Sequence, residues 1–97
     1  MMKKEILTIN NFEVFRYNWE YFVHYFFWDR INSNYYEWVI NSPTDKIEYY
    51  MLERLDGYKE PIKTVAFYDY ESAEKFVLNE IEKITSKIIS EGKNGKN

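Results

Sequence analysis

Aromatic residues in the first third of the chain recur at helix-like intervals. Five of them are spaced by three or four residues: Phe12, Phe15, Trp19, Phe22 and Phe26. This spacing puts them on one face of a helix, whereas the charged residues Arg16 and Glu20 occupy another. Asn10 and Glu13 match a capping box, in which each side chain bonds the backbone of the other at a helix start. The pattern therefore predicts a first helix that begins after Asn10.

A strand is the alternative for residues 20–28, because aromatic and β-branched residues favour strands over helices. Alternation of apolar and polar positions is the test of a half-buried strand. The even-numbered positions mix the two kinds, since Glu20 and His24 stand among Phe22, Phe26 and Trp28. The helix is therefore the preferred interpretation, and the strand stays open as the alternative.

Three strands are predicted in the middle of the chain. The segments rich in aromatic and β-branched residues are 35–41, 46–55 and 62–68. Ser-Pro-Thr-Asp at 42–45 and Asp-Gly at 56–57 separate them with turn chemistry. Residues 5–9 are expected to add a short strand. Consecutive strands joined by such turns form an antiparallel meander.

The last third of the chain has the most regular periodicity. Its apolar residues recur at spacings of three or four: Ala73, Val77, Ile81, Ile84 and Ile88. Asp69 or Ser72 is expected to cap this second helix, and Glu71 complements the positive end of its dipole. Residues 92–97 are Gly-, Lys- and Asn-rich and are expected to form a disordered polar tail.

These elements predict an α+β fold in the order (β)αβββα, a three-stranded antiparallel meander packed against two helices. Residues 1–91 would form a single globular domain, in line with a chain of 97 residues. Both helices would cover the same face of the sheet. The expected core is Phe15, Trp19, Phe22, Trp38, Phe67, Val77 and Ile81.

The element order αβββα resembles that of double-stranded-RNA-binding domains. In domains of that family, the second helix begins with a Lys-rich segment that binds phosphates across a groove of the RNA. The corresponding stretch here is Glu71-Ser72-Ala73-Glu74-Lys75, with two carboxylates against one lysine. The resemblance therefore implies a topology and not an RNA-binding site.

Charge and composition narrow the classes of partner. Thirteen basic and sixteen acidic residues give a net charge of −3, so no general field attracts phosphates and no direct nucleic-acid binding is expected. The chain has no cysteine and no apolar run long enough for a signal peptide or a membrane span, so a cytoplasmic location is expected. Six residue types with AT-rich codons (Phe, Tyr, Met, Ile, Asn and Lys) make up 49 of the 97 residues, which hints at a low-GC bacterial, archaeal or phage source.

Candidate catalytic groups are few. His24 is the single histidine, and a surface or hydrogen-bonded histidine is the preferred interpretation over half of an acid–base pair. Asp56-Gly57 has only one carboxylate before its glycine, so it is read as a turn and not as a calcium loop. None of the three glycines lies in a phosphate-binding motif. Neither an enzyme nor a cofactor or metal site is therefore expected.

The sheet face opposite the helices is the candidate binding surface. In the predicted strand 35–41, Tyr36 and Trp38 would face the core, and Tyr35 would face outward with its hairpin partners. Tyrosine anchors, an arginine and surrounding charges are typical of protein interfaces. The predicted partner-binding residues are Tyr35, Glu48, Tyr50, Leu52, Glu53, Arg54 and Tyr68.

The sequence thus favours a small acidic non-catalytic protein that binds a larger protein. One fitting class is a phage or mobile-element inhibitor of a host nuclease or defence complex, similar to an anti-CRISPR protein, whose carboxylates take the place of phosphates. The alternative is a nucleic-acid-binding accessory module that stacks bases on the tyrosine-rich sheet face. A homodimer is a further use of the same face.

Overall fold

Six antiparallel strands lie side by side in the order in which they occur along the chain, and one helix follows them. The computed structural model describes residues 2–19, 22–42, 49–58 and 60–94. The elements are β1 (Lys3–Ile9), β2 (Phe12–Asn18), β3 (Phe22–Asp29), β4 (Asn34–Asn41), β5 (Tyr50–Arg54), a short 3-10 turn (Asp56–Tyr58), β6 (Lys63–Phe67) and α1 (Tyr70–Asn94). The predicted fold of three strands and two helices was therefore wrong.

The predicted first helix is the hairpin β2–β3. The strand alternative for residues 20–28 was therefore the better one for β3, whereas β2 was not predicted as a strand. Val23, Tyr25 and Phe27 are buried beneath α1, and the residues between them point to the other side of the sheet. Those intervening residues are also aromatic for the most part. With large rings on both faces, the two-residue period of the strand is masked, and helix-like spacings appear by coincidence.

Asn10 and Asn11 form the two-residue turn between β1 and β2 and do not cap a helix. Their φ angles are 49° and 68°, and Ile9 pairs with Phe12 across the turn. Positive φ at both central positions is the requirement of a type I′ hairpin turn, which asparagine tolerates better than most residues. The capping-box interpretation failed because asparagine is favoured both at helix N-caps and in tight turns.

The predicted three-stranded meander corresponds to β4, β5 and β6, which is one half of the sheet. Ile40 pairs with Leu52, and Leu52 pairs with Val65. The predicted turn at 42–45 lies outside the described residues except for Ser42, and so does the start of the predicted strand at 46–48. β1, β2 and β3 complete the sheet on the other side of β4.

Helix α1 begins as its sequence predicts. The Asp69 carboxylate accepts hydrogen bonds from the Ser72 backbone N–H at 2.8 Å and from the Ser72 hydroxyl at 2.9 Å. The helix runs for 25 residues and includes 92–94, the first part of the predicted tail; residues 95–97 lie outside the described ones. Within the described ranges, neither α1 nor any other helix has the apolar length needed to cross a membrane.

The core lies between α1 and one face of the sheet. Trp38, Val77 and Ile81 were predicted to be buried and have no exposed surface, and Phe67 is partly buried against them. The other predicted core residues were wrong: Phe15 lies half-buried on the opposite face, and Trp19 and Phe22 are 41% and 38% exposed. They were assigned to the core by a helical stripe, and the alternation of a strand distributes that stripe over both faces.

The register of β3 can be tested with two phenylalanines five residues apart. Phe27 has no exposed surface, so Phe27→Ala should lower the free energy of unfolding by about 3–5 kcal/mol, measured by urea denaturation. Phe22→Ala is the matched control and should cost less than about half as much, because the ring lies at the surface. The reverse order would mean that β3 is shifted by one residue, which exchanges its two faces.

Candidate protein-interaction surface

The face of the sheet that α1 does not cover carries a cluster of aromatic rings. We call this side the open face. Residues that pair across neighbouring strands point to the same side, and Phe15 pairs with Phe26, Tyr17 with His24 and Trp28 with Tyr35. The ring-bearing residues of the open face are Phe15, Tyr17, Phe22, His24, Phe26, Trp28 and Tyr35. Six of these seven rings come from β2 and β3, which were expected to be helical.

Phe26 is the centre of the cluster. Its ring stacks on Phe15 with centroids 5.2 Å apart and planes 17° apart. Tyr17, His24 and Tyr35 surround it at centroid distances of 5.3, 5.2 and 5.8 Å. Each ring restricts the rotamers of its neighbours. The side chains of the open face therefore lose little further conformational entropy when a partner binds.

Trp28 projects from one end of the cluster and is 49% exposed. A hollow of about 420 Å³ lies on one side of it, lined in part by Phe15 and Ile31, and Ile31 is itself 70% exposed. A second hollow of about 520 Å³ lies on the other side, lined in part by Tyr35 and Tyr36. A half-exposed tryptophan that borders two hollows fits the role of an interface anchor, since such anchors are large aromatic residues beside pockets that a partner can fill.

Trp19 and Phe22 form an apolar corner at the opposite end of the open face. Their rings stack with centroids 5.6 Å apart, and both remain more than one third exposed. The apolar surface therefore extends along the whole length of β3. A contiguous patch of this kind on a folded chain marks an interaction site more often than a scatter of single residues does.

Charged groups lie among and around these rings. The Lys4 ammonium sits over Phe15 and Tyr17, 5.6 and 5.9 Å from the ring centroids. His24 Nε2 contacts the Glu37 carboxylate on the neighbouring strand, which places a polar contact in the middle of the surface. Among the described residues, the remaining charges on or beside the face are Glu13, Arg30 and Glu53. Three carboxylates against Lys4 and Arg30 give this surface no excess of positive charge.

Three of the predicted binding residues lie on the covered face instead. Leu52 pairs with Ile40 and Arg54 with Trp38, so these side chains and Tyr50 point towards α1. Leu52 is only 2% exposed. The assignment of Tyr50, Leu52 and Arg54 to the uncovered face was wrong, because alternation fixes parity within a strand but not the register across a hairpin turn of unknown length.

The other four predicted residues are divided. Tyr35 and Glu53 lie on the open face, Tyr35 beside Trp28 and Glu53 opposite Val39. Tyr68 is 91% exposed just beyond the end of β6, apart from the aromatic cluster. Glu48 lies outside the described residues. Whether any of the seven binds a partner stays a prediction.

The sequence analysis missed the central residues of the open face, Phe15, Phe26 and Trp28. The signal that would have found Phe26 and Trp28 is the density of β-forming residues at 22–28, where every position except His24 is valine, phenylalanine, tyrosine or tryptophan. A short run of this composition is typical of a strand that is covered on both faces. Phe15 carries no comparable signal in the sequence.

A polar cluster between the covered face and α1 is the second group of residues that could carry chemistry. Arg16 Nε donates to the Tyr25 hydroxyl at 2.9 Å, and Arg16 Nη2 donates to the Tyr70 hydroxyl at 2.8 Å. Both hydroxyls donate in turn to Glu74 Oε2, at 2.5 and 3.1 Å. Each member of the cluster therefore has its charge or hydroxyl satisfied by another member.

The pKa values agree with a stabilising role for this cluster. Burial and the hydrogen bond to Glu74 raise the pKa of Tyr25 well above its usual range, and burial also raises the pKa of Tyr70. Burial opposes ionisation of Glu74, but hydrogen bonds from the two tyrosines and the charge of Arg16 hold its pKa below the ordinary value. Two neutral phenols beside a carboxylate that already bonds them provide no activated nucleophile or base.

No group of three or more histidine and carboxylate side chains in the described ranges is arranged to hold a metal ion. No protein-family model, curated protein or solved structure matches the chain. The function is therefore inferred from the residues of the open face themselves.

The polar cluster predicts a loss of stability in acid. Because the pKa of Glu74 is lower in the folded than in the unfolded chain, its contribution is present above the ordinary pKa of 4.5 and is lost as pH falls through the folded value. Glu74→Gln should therefore flatten the decrease in unfolding free energy below about pH 5. Glu82→Gln, on an exposed part of the same helix, is the control and should keep the slope; equal slopes in both variants would contradict the assignment.

Proposed function

We propose that the protein is a small, acidic, non-catalytic binding protein that docks on a larger protein through the open face of its sheet. The observation that carries this proposal is the continuous aromatic surface on the side opposite α1. Trp28 at 49%, Trp19 at 41% and Phe22 at 38% exposure border a stacked centre of half-buried rings. These rings stay exposed to water in the monomer. Their burial against a partner would contribute favourable hydrophobic free energy to binding.

The composition of the open face supports a protein partner. Interface centres are enriched in aromatic residues and poor in charge, and charged groups are more frequent around them. Phe15, Phe26 and Tyr35 form an aromatic centre that a single polar pair, His24 and Glu37, interrupts, and Lys4 and Glu53 lie towards its borders. Six strands of about seven residues offer a face on the order of 550 Å² in projection, close to one partner's share of a standard interface.

A single-stranded nucleic acid is the second candidate occupant, because exposed rings on a sheet can stack bases. The charges of the open face count against it. Phosphate binding needs a groove of positive charge that follows the backbone, and here Glu13, Glu37 and Glu53 outnumber Lys4 and Arg30.

The finer proposal is that the partner is a nucleic-acid-processing protein, such as a host nuclease or defence complex, inhibited by a phage or mobile-element product. The net charge of −3, the length of 97 residues and the AT-rich composition support it. Asp56 and Glu74 contact Arg54 and Arg16, so they are poor substitutes for phosphate oxygens. Glu60 and Glu71 are exposed and suit this role better, whereas the Asp69 carboxylate already caps α1.

The docking proposal predicts which aromatic residue matters. After a partner is captured from the native host and identified by mass spectrometry, Trp28→Ala should weaken its affinity at least about tenfold while leaving the melting temperature nearly unchanged. Tyr68→Ala is the matched control, because this ring is 91% exposed and lies off the open face. Affinity that depends on Tyr68 and not on Trp28, measured by calorimetry, would place the interface elsewhere.

The same proposal predicts the behaviour towards nucleic acids. At about 50 mM salt, where phosphate contacts are strongest, the protein should show no binding to single- or double-stranded DNA or RNA in a fluorescence-anisotropy titration. Binding at micromolar concentrations that weakens steeply with added salt, and that Trp28→Ala removes, would instead favour base stacking on the open face.

A further inference from the structure

Strand β1 forms one edge of the sheet, and β2 is the only strand of the described part of the chain that pairs with it. The strand is seven residues long, and Ile6 at its centre is 54% exposed. The opposite edge, β6, has five residues and follows Pro61 closely, which limits its value as a template. A long edge with an exposed apolar centre is a site at which a further strand can be added.

The turn at Asn10-Asn11 determines which backbone groups of β1 point outward. In a two-residue hairpin the residues flanking the turn, Ile9 and Phe12, exchange both of their backbone hydrogen bonds. Bonding then alternates along the strand, so Leu7 and Glu5 also bond to β2. The N–H and C=O groups left facing away from the sheet are those of Lys4, Ile6 and Thr8.

These outward residues are symmetric about Ile6, and we propose that two copies of the chain pair through β1 in antiparallel orientation about this residue. Ile6 of one copy then lies opposite Ile6 of the other, and Lys4 lies opposite Thr8. The two six-stranded sheets become one sheet of twelve strands. Such a contact is isologous and closed, as expected for a two-fold dimer. It does not depend on the docking function proposed above.

The distribution of charge fits this pairing. In the Ile6-centred register, Glu5 of one copy lies opposite Leu7 of the other, and Lys3 lies opposite Ile9. No two like charges meet directly across the junction, where they would be destabilising. Each Glu5 carboxylate also keeps the partners of its own chain, Arg16 at 3.5 Å and Lys3 at 3.6 Å.

A hollow on the covered side supplies side-chain burial for the same contact. It has a volume of about 350 Å³ and lies between β1 and α1. Leu7 and Leu78 line it together with the polar side chains of Glu5, Arg16, Tyr25 and Glu74. Because Leu7 of the second copy would lie opposite Glu5 on this side of the sheet, its side chain would enter the hollow. Pairing through β1 therefore joins backbone hydrogen bonds to apolar burial, which strand addition alone does not provide.

Sedimentation velocity tests the proposal with charge substitutions at Ile6. Wild-type protein on the order of 100 μM should sediment as a dimer. Ile6→Lys and Ile6→Glu should each shift the protein to monomer, with self-association weakened at least about tenfold, because the substituted residue meets its own copy across the two-fold axis. A mixture of the two variants should recover the dimer as a heterodimer.

The same charge substitutions at Ile62 provide the matched control, because Ile62 is 60% exposed and lies outside β1. They should leave the dimer intact. A monomeric wild type would overturn the proposal, and so would dimers that survive Ile6→Lys. A dimer that Trp28→Ala dissociates and Ile6→Lys does not would assign self-association to the open face instead.

Discussion

The apolar stripe of α1 against one face of the sheet is the interaction on which the rest of the molecule depends. Ala73, Val77 and Ile81 have no exposed surface, and they pack over a sheet whose inner residues include Trp38 and Phe27. A single helix can cover only one side of a six-stranded sheet. One face of the sheet is therefore buried under the helix, and the other remains as the aromatic open face. The candidate binding surface lies on that open face for the same reason.

Polar contacts hold the helix in place over both halves of the covered face. On the β1–β3 side, Asn10 Nδ2 donates to Thr85 Oγ1 at 3.0 Å, and Arg16 bonds Glu74. On the β4–β6 side, Trp38 Nε1 and Lys63 Nζ both donate to Glu80, each at 3.3 Å. Arg16 lies on β2 and Trp38 on β4, and both strands carry rings of the open face on their other side. The helix therefore restrains the strands that hold these rings. Preorganisation of this kind lowers the entropic cost of binding.

The sequence predicted the parts of the fold in which only one face of an element is apolar. In α1 the buried stripe of Ala73, Val77 and Ile81 lies opposite exposed Glu71, Lys75 and Glu82, so only one orientation of the helix is possible. The Asp69 cap marks its start. In β3 the side chains of both faces are large, so Tyr25 and Phe26 look alike in the sequence although one is buried and the other belongs to the surface. The candidate site was missed for the same reason. The stacked cluster requires β2 and β3 to pair as strands in one particular register, and a segment read as a helix has no such register.

A dimer through β1 and a docking surface on the open face are geometrically compatible. Strands that pair in antiparallel orientation within one sheet are related by a two-fold axis perpendicular to it, so residues directly opposite each other point to the same side. Pairing of Ile6 with Ile6 would therefore leave both copies of α1 on one side of the joined sheet and both open faces on the other. Phe15, which pairs with Ile6, would lie three strand spacings, about 14 Å, from its counterpart across the junction. A partner able to contact both open faces would gain affinity from their linkage without any new contact within either copy.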